Sequence, residues 1–190
     1  DVPEERLLKL WEGLGYYNRA RNMQKAARQI VEDYGGRFPV TYEEIRNLKG
    51  IGNYTAGAIA SFAYGILKPA VDGNVLRVIS RVTADGSDIM KPSTKSRIEK
   101  KLEEAIPDGA ACDFNQGLIE LGAIVCVPNG RPKCGECPLA AGCKAHLSGC
   151  EEDFPVKSKA KKRRIEKRTV FVIQDGEHTA VARRGEKGLL

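Results

Sequence analysis

Apolar residues recur at helical spacing along the first 150 positions of this chain, and the period changes afterwards. Leu7, Leu10, Trp11 and Leu14 share one helical stripe, which predicts a helix over 3–14 closed by Gly13-Leu14-Gly15, with Tyr16-Tyr17 in the connection. Asn18 is expected to cap a longer helix running to about Tyr34, which Gly35-Gly36 would end. Thr41 followed by Glu44 reads as a capping box for a short helix through Leu48. Gly50-Ile51-Gly52 makes a turn into an apolar helix over about 55–64, and another helix is expected over 74–82. Ser93 is expected to cap a helix that reaches Ile106 before Pro107, and Asp113 one that reaches Cys126. No convincing strand interrupts this succession, so the chain up to about Cys150 is read as all-helical.

Beyond Cys150 the character changes. Residues 157–168, KSKAKKRRIEKR, are basic and nearly without core positions, as expected of a linker. Thr169 to Gln174 is β-branched and apolar, Asp175-Gly176 is a turn signal, and Thr179-Ala-Val-Ala follows, which predicts a β-hairpin opening a second domain. Neither an internal repeat nor a low-complexity tract is present apart from the basic run.

A length of 190 residues allows one large domain or two small ones, and 42% hydrophobic with 29% charged residues is ordinary for a globular protein. No apolar run approaches the roughly 20 residues of a membrane span, so no membrane partner is expected. The net charge of +6 favours a polyanionic partner without proving one. Asp1-Val2-Pro3 enters a helix without an initiator Met and Gly188-Leu189-Leu190 stops in mid-pattern, so a longer parent polypeptide is expected.

Two segments carry candidate chemistry. Gly50 and Gly52 allow backbone with positive φ and a close approach, and the N–H groups near Asn53 to Ala56, including Tyr54 and Thr55, open a helix where a phosphate can sit. Ile51 between the glycines would pack the two helices together. A plain glycine-rich helix–helix turn is the competing reading. Asp72, in PAVDGNVLR, either caps the helix that follows or serves as a reactive carboxylate, and Asn74 stands beside it. Four of the six cysteines form the pattern Cys126-x7-Cys134-x2-Cys137-x5-Cys143. Without a secretory leader such crowding reads as a metal or cluster site, with zinc and an iron–sulfur cubane as alternatives. Cys112 is expected to be a small buried residue and Cys150 a free thiol; His146 and His178 receive no role.

LKGIGNYTAGAI, PAVDGNVLRVISR, LGYYNRARN and FNQGLIELGAIVC together resemble the helix–hairpin–helix superfamily of base-excision DNA glycosylases over residues 1 to about 150, and within it the adenine-glycosylase branch. That resemblance implies a mainly α fold. A partial helical barrel with the hairpin would occupy residues 1–66, and a helical domain with the acid and the cysteine loop 67–150. A basic linker over 151–168 would lead to the start of a Nudix-like, 8-oxoguanine-sensing domain over 169–190. It implies hydrolysis of the N-glycosidic bond of adenine mispaired with 8-oxoguanine or guanine in duplex DNA, by a monomer in the bacterial cytoplasm. Asp72 would be the carboxylate that stabilises the sugar cation, with Tyr54 and Asn74 lining the pocket and Tyr16 wedging into the base stack. The proton donor of the family is a glutamate expected ahead of residue 1, so the chain alone is expected to be inert.

The endonuclease III-like sister group carries a lysine amine where this chain has Tyr54. A phenol forms no Schiff base, which points to base removal without strand cleavage. For the cysteines the resemblance implies a 4Fe–4S cluster held by Cys126, Cys134, Cys137 and Cys143. The first gap here is one residue longer than usual in the family, and Asn129-Gly130 can absorb it as a turn. A non-enzymatic helix–hairpin–helix module with structural zinc remains the contrasting possibility.

Overall fold

The computed structural model describes residues 2–158, 165, 167, 169 and 171–181. The chain divides into two units, Asp1–Ser158 and Lys159–Leu190. The first is helical: α1 (Glu4–Leu10), α2 (Asn18–Tyr34), α3 (Tyr42–Asn47), α4 (Asn53–Tyr64), α5 (Gly73–Thr83), α6 (Pro92–Ala105), α7 (Ala111–Glu120), a π turn (Leu121–Val125) and α8 (Lys144–Leu147). No described helix is long and apolar enough to cross a membrane.

Two apolar clusters hold this unit together. Ile45 of α3 meets Ala56 and Ala60 of α4, all fully buried, and the half-buried Ile51 plugs the turn between them as the sequence suggested. Small residues on α4 let the helices approach closely, so that little surface stays wet. Val71, Val75, Leu76, Ile89, Ile98 and Leu102 form the other cluster, with Phe114, Leu118 and Ile119 of α7 against it. The segment before α5 therefore lies between α4, α6 and α7.

Most expected helices are present, but their ends obey different physics. The first ends at Leu10 rather than 14, because the Trp11 indole donates to the Gly15 carbonyl at 2.9 Å and the chain turns through Gly13 and Gly15 at φ +86° and +66°. Asn18 is not a cap. Tyr17 holds that position, and Arg19 N–H donates to the Tyr16 carbonyl at 2.8 Å. Nor does Ser93 cap α6: Pro92 starts it, since its missing N–H and fixed φ suit the first helical residue. Asp113 lies in the first turn of α7 after Ala110, where its charge complements the helix dipole. The Thr41 cap is present, its hydroxyl accepting from Glu44 N–H at 3.4 Å. Cys112 is exposed, because the face of α7 that it shares with Asp113 points to solvent.

Residues 151–158 fold back onto the helical unit. Ile89 N–H donates to the Val156 carbonyl at 3.1 Å and Ser158 N–H to the Asp88 carboxylate at 3.2 Å. In the second unit β1 (Gln174–Asp175) and β2 (His178–Thr179) pair antiparallel, Gln174 opposite Thr179 and Asp175 opposite His178. The hairpin falls where it was expected, turning at Gly176 with φ +57°, but each strand is two residues long and 171–173, expected to belong to the first strand, are not strand. Most of the basic stretch, and everything past Val181, lies outside the described residues.

Candidate active site and cysteine-lined cavity

The hairpin between α3 and α4 is built by one glycine and braced from α2. Gly50 adopts φ +79°, and a Cβ there would lie 2.5 Å from Asn22 Nδ2, so only glycine lets α2 press against the turn. Gln29 of the same helix accepts from Lys49 N–H at 3.0 Å. Gly52, expected to share the positive-φ role, is instead extended at φ −96° as the N-cap of α4, with open space where a Cβ would be. Its use is access. Ala56 N–H donates to Gly52, so the first-turn donors narrow to Asn53, Tyr54 and Thr55. Tyr54 and Thr55 are exposed. The Asn53 side chain is engaged on both sides, accepting from Arg46 Nε at 2.6 Å and donating to Glu99 at 3.2 Å.

Asp72 sits one helix away and is half-buried. The approach is set by Gly57 in α4, where a Cβ would lie 2.8 Å from the Pro69 carbonyl carbon. Asn115, buried in α7, holds the same stretch: its Oδ1 accepts from Ala70 N–H at 2.7 Å, and its Nδ2 donates to the Lys68 carbonyl at 3.0 Å. Both oxygens of Asp72 are then occupied within the chain. Oδ1 accepts from Val75 N–H and Oδ2 from Asn74 Nδ2, each at 2.9 Å. The acid is a helix cap and is also aimed by Asn74.

Asn74 is aimed in turn. Its Oδ1 accepts from Arg77 Nη2 at 2.9 Å, and the same guanidinium donates to the carbonyls of Gly122 at 2.6 Å and Cys126 at 2.8 Å. Arg77 is only 4% exposed, and burial pulls its pKa below the ordinary value. A Cβ at Gly122 would lie 2.5 Å from Asn74 Cβ, so the π turn must pass with no side chain there. A continuous set of hydrogen bonds thus joins Asp72 to the backbone of Cys126.

Cys126, Cys134, Cys137 and Cys143 line one cavity, walled by Val78, Leu121 and Val125. All four are free thiols, and short 3-10 turns at Cys134–Glu136 and Ala140–Gly142 wind the loop around the cavity. Burial, then a hydrogen bond to Glu151, pushes the Cys134 thiol up to about 11. Iron would have to displace that proton, as thiolate ligation by metals does. Four unpaired sulfurs on a single apolar cavity fit four-cysteine ligation of a cubane. His146, for which no role was expected, hydrogen-bonds Glu151 at 2.7 Å, and Glu151 lies 3.5 Å from Cys134 Sγ. His178 is exposed in the hairpin, and Cys150 is half-buried with its thiol free.

Tyr16 projects from the loop before α2, 83% exposed, at φ +47°. Positive φ is uncommon for an aromatic residue. Arg21, in α2 just after that loop, pairs with Glu4 at 2.8 Å.

The model of the HhH-GPD superfamily, base excision DNA repair proteins, matches residues 1–108. The adenine DNA glycosylase of Rattus norvegicus is 44% identical over 143 residues, covering 75% of this chain and 28% of the relative. That of Buchnera aphidicola subsp. Baizongia pistaciae (strain Bp) is 38% identical over 171 residues, covering 90% and 47%. The chain therefore spans under half the length of these curated relatives. Among solved structures it resembles a thermostable thymine-DNA glycosylase, with TM-score 0.68, 31% identity and coverage of 77% of this chain and 67% of that one. A non-covalent endonuclease III–DNA complex follows with TM-score 0.66 and 31% identity, covering 78% and 67%.

Proposed function

Because the chain belongs to the HhH-GPD superfamily of base excision DNA repair proteins, we propose that it forms part of an adenine DNA glycosylase that removes adenine opposite 8-oxoguanine or guanine in duplex DNA. The observation that carries this reading is Asp72, half-buried, oriented through both oxygens, one helix away from a hairpin whose Tyr54 stands where a lyase carries its amine.

The first-turn N–H groups of α4 bind a backbone phosphate, with Gly52 leaving room for it. Tyr16 occupies the gap left in the base stack when adenine is turned out. Breaking the glycosidic bond leaves an oxocarbenium-like sugar, and the Asp72 carboxylate stabilises it from below. Val75 N–H and the Asn74 amide keep that carboxylate in one orientation, which matters because a displacement of about 1 Å can cost on the order of 10²-fold in rate. Tyr54 offers no amine, so water rather than the protein takes the sugar carbon and the strand stays intact. Protonation of the leaving adenine falls to the family's glutamate, expected in sequence preceding residue 1.

Cys126, Cys134, Cys137 and Cys143 would hold the 4Fe–4S cluster, which when bound ties the turns of the loop into one unit. Arg131 and Lys133, both exposed in that loop, add charge toward a DNA phosphate. The division into a barrel part (1–66) and a cluster part (67–150), and a Nudix-like continuation after 169, belong to the same proposal.

The test uses the full-length protein containing this chain and a duplex with adenine opposite 8-oxoguanine. Asp72→Asn should slow adenine release by on the order of 10³-fold while mispair binding persists. Wild-type rates in that variant, or a borohydride-trapped adduct with the unmodified protein, would overturn the assignment.

A further inference from the structure

Arg81 is 5% exposed, and no carboxylate pairs with it among the described residues. Its Nη1 donates to Cys126 Sγ at 3.3 Å and to the Val127 carbonyl at 3.1 Å. Its Nε donates to the carbonyls of Glu151 at 2.9 Å and Phe154 at 3.0 Å. Its own carbonyl accepts from Cys143 Sγ at 3.5 Å. One residue therefore touches the first and last cysteines of the loop and the segment that returns over it.

A buried guanidinium stays charged and is costly without a counter-charge. Backbone carbonyls answer its hydrogen bonds but carry no net charge. Among the groups hydrogen-bonded to the guanidinium, the Cys126 sulfur is the one that can carry a negative charge. Four thiolates around a 4Fe–4S core leave the assembly net negative, and Cys126 is the ligand within reach. Arg77, one turn earlier on α5, faces the backbone of Cys126 instead, so the two arginines divide the work.

We propose that Arg81 is a positioning residue for the cluster, acting as its buried counter-cation and as an N–H donor to the Cys126 sulfur. The inference rests on the four-cysteine cluster reading given above. A positive charge and an N–H···S bond both favour the added electron, so Arg81 raises the reduction potential of the cluster. The Nη1 bond to Cys126 Sγ, which survives loss of the thiol proton, also slows the release of iron, whereas the Cys143 S–H contact gives way when that sulfur becomes a ligand. A merely structural clasp would stabilise the loop and leave the potential where it was.

The experiment uses the full chain purified with its iron. Iron and sulfide analysis of the wild type comes first: a protein without iron overturns the cluster reading itself, independently of Arg81. With iron present, Arg81→Gln should shift the reduction potential to more negative values and lose iron to a chelator about tenfold faster or more. Arg81→Lys, which keeps the charge but not the planar fork, should lie between the two in potential. An unchanged potential in Arg81→Gln, with only a lower unfolding temperature, would reduce Arg81 to a clasp and overturn the proposal. Should that variant fail to fold, the wild type grown with ¹⁵N-labelled arginine decides. A ¹⁵N coupling to the paramagnetic cluster, lost in Arg81→Lys, is expected, and its absence from the wild type overturns the proposal.

Discussion

Replacing Gly57 with alanine sets two effects of opposite sign against each other. Alanine in a helix interior is favoured over glycine by about 1 kcal/mol. At this place the new Cβ would lie 2.8 Å from the Pro69 carbonyl carbon, closer still to its oxygen, where ordinary contact begins at 3.4 Å. The backbone of α4 and the 69–72 segment would have to separate by at least about 0.6 Å, and backbone cannot swing aside as a long side chain can. Overpacking of this kind costs about 1–3 kcal/mol, and loss of the Ala70 to Asn115 bond would add roughly 1 kcal/mol. The net expectation is a loss of about 1–3 kcal/mol in urea unfolding. Adenine release by the full-length protein should fall by on the order of 10²-fold, because Asp72 is carried on the displaced segment. Gly117 of α7 is the control. A Cβ there meets nothing within 4 Å, so Gly117→Ala should be neutral or stabilising by up to about 1 kcal/mol. If Gly57→Ala were as stable as Gly117→Ala, the close approach would not be what positions the acid.

Asn115→Ala should cost about 3 kcal/mol, since it strands the buried Ala70 N–H and Lys68 carbonyl; chemical denaturation reads this, and a loss below 1 kcal/mol would refute it. Asp85 is opposed by burial, yet hydrogen bonds from Ser87 and Arg97 and the charge of Arg97 hold its pKa at about 2, against an ordinary 3.8. With the folded value depressed, its contribution of at most about 2 kcal/mol is complete above the ordinary value and lost as pH falls toward 2. Asp85→Asn should flatten the stability–pH curve in that window, and parallel curves would exclude the effect. Cys137→Ser should lose iron and lower DNA affinity more than it slows single-turnover chemistry; a soluble, fully active variant lacking iron would contradict that ordering.

The periodicity of apolar residues was enough to place the helices, because burial of one stripe per helix dominates their energetics. Their ends were less legible. Asn18, Ser93 and Asp113 are good caps by residue type, but each competes with a neighbour that the backbone favours more, such as Pro92 at the start of α6. Asp72 could be singled out by its company in the chain, and Cys126, Cys134, Cys137 and Cys143 by their spacing. What the linear order hid is the support around them. Asn115 lies 45 residues from Ala70, and Arg77 lies 49 from Cys126, so their bonds exist only once α5 and α7 have packed. Asn74, three residues before Arg77 on one helical face, was the available hint to that arginine. His146 and Glu151 had no hint beyond lying just after the last cysteine.

The return of residues 151–158 over the helical unit bears on where this protein can be cut. By composition the break falls after Cys150, ahead of the basic, core-poor stretch. A chain ended there would remove the Glu151 and Phe154 carbonyls that Arg81 Nε donates to, and the Val156 carbonyl that receives Ile89 N–H. A buried cation would lose two of its acceptors in one step. The shortest stable version of the helical unit therefore ends after Ser158, and limited proteolysis of the intact protein should leave a fragment with its new terminus beyond that residue.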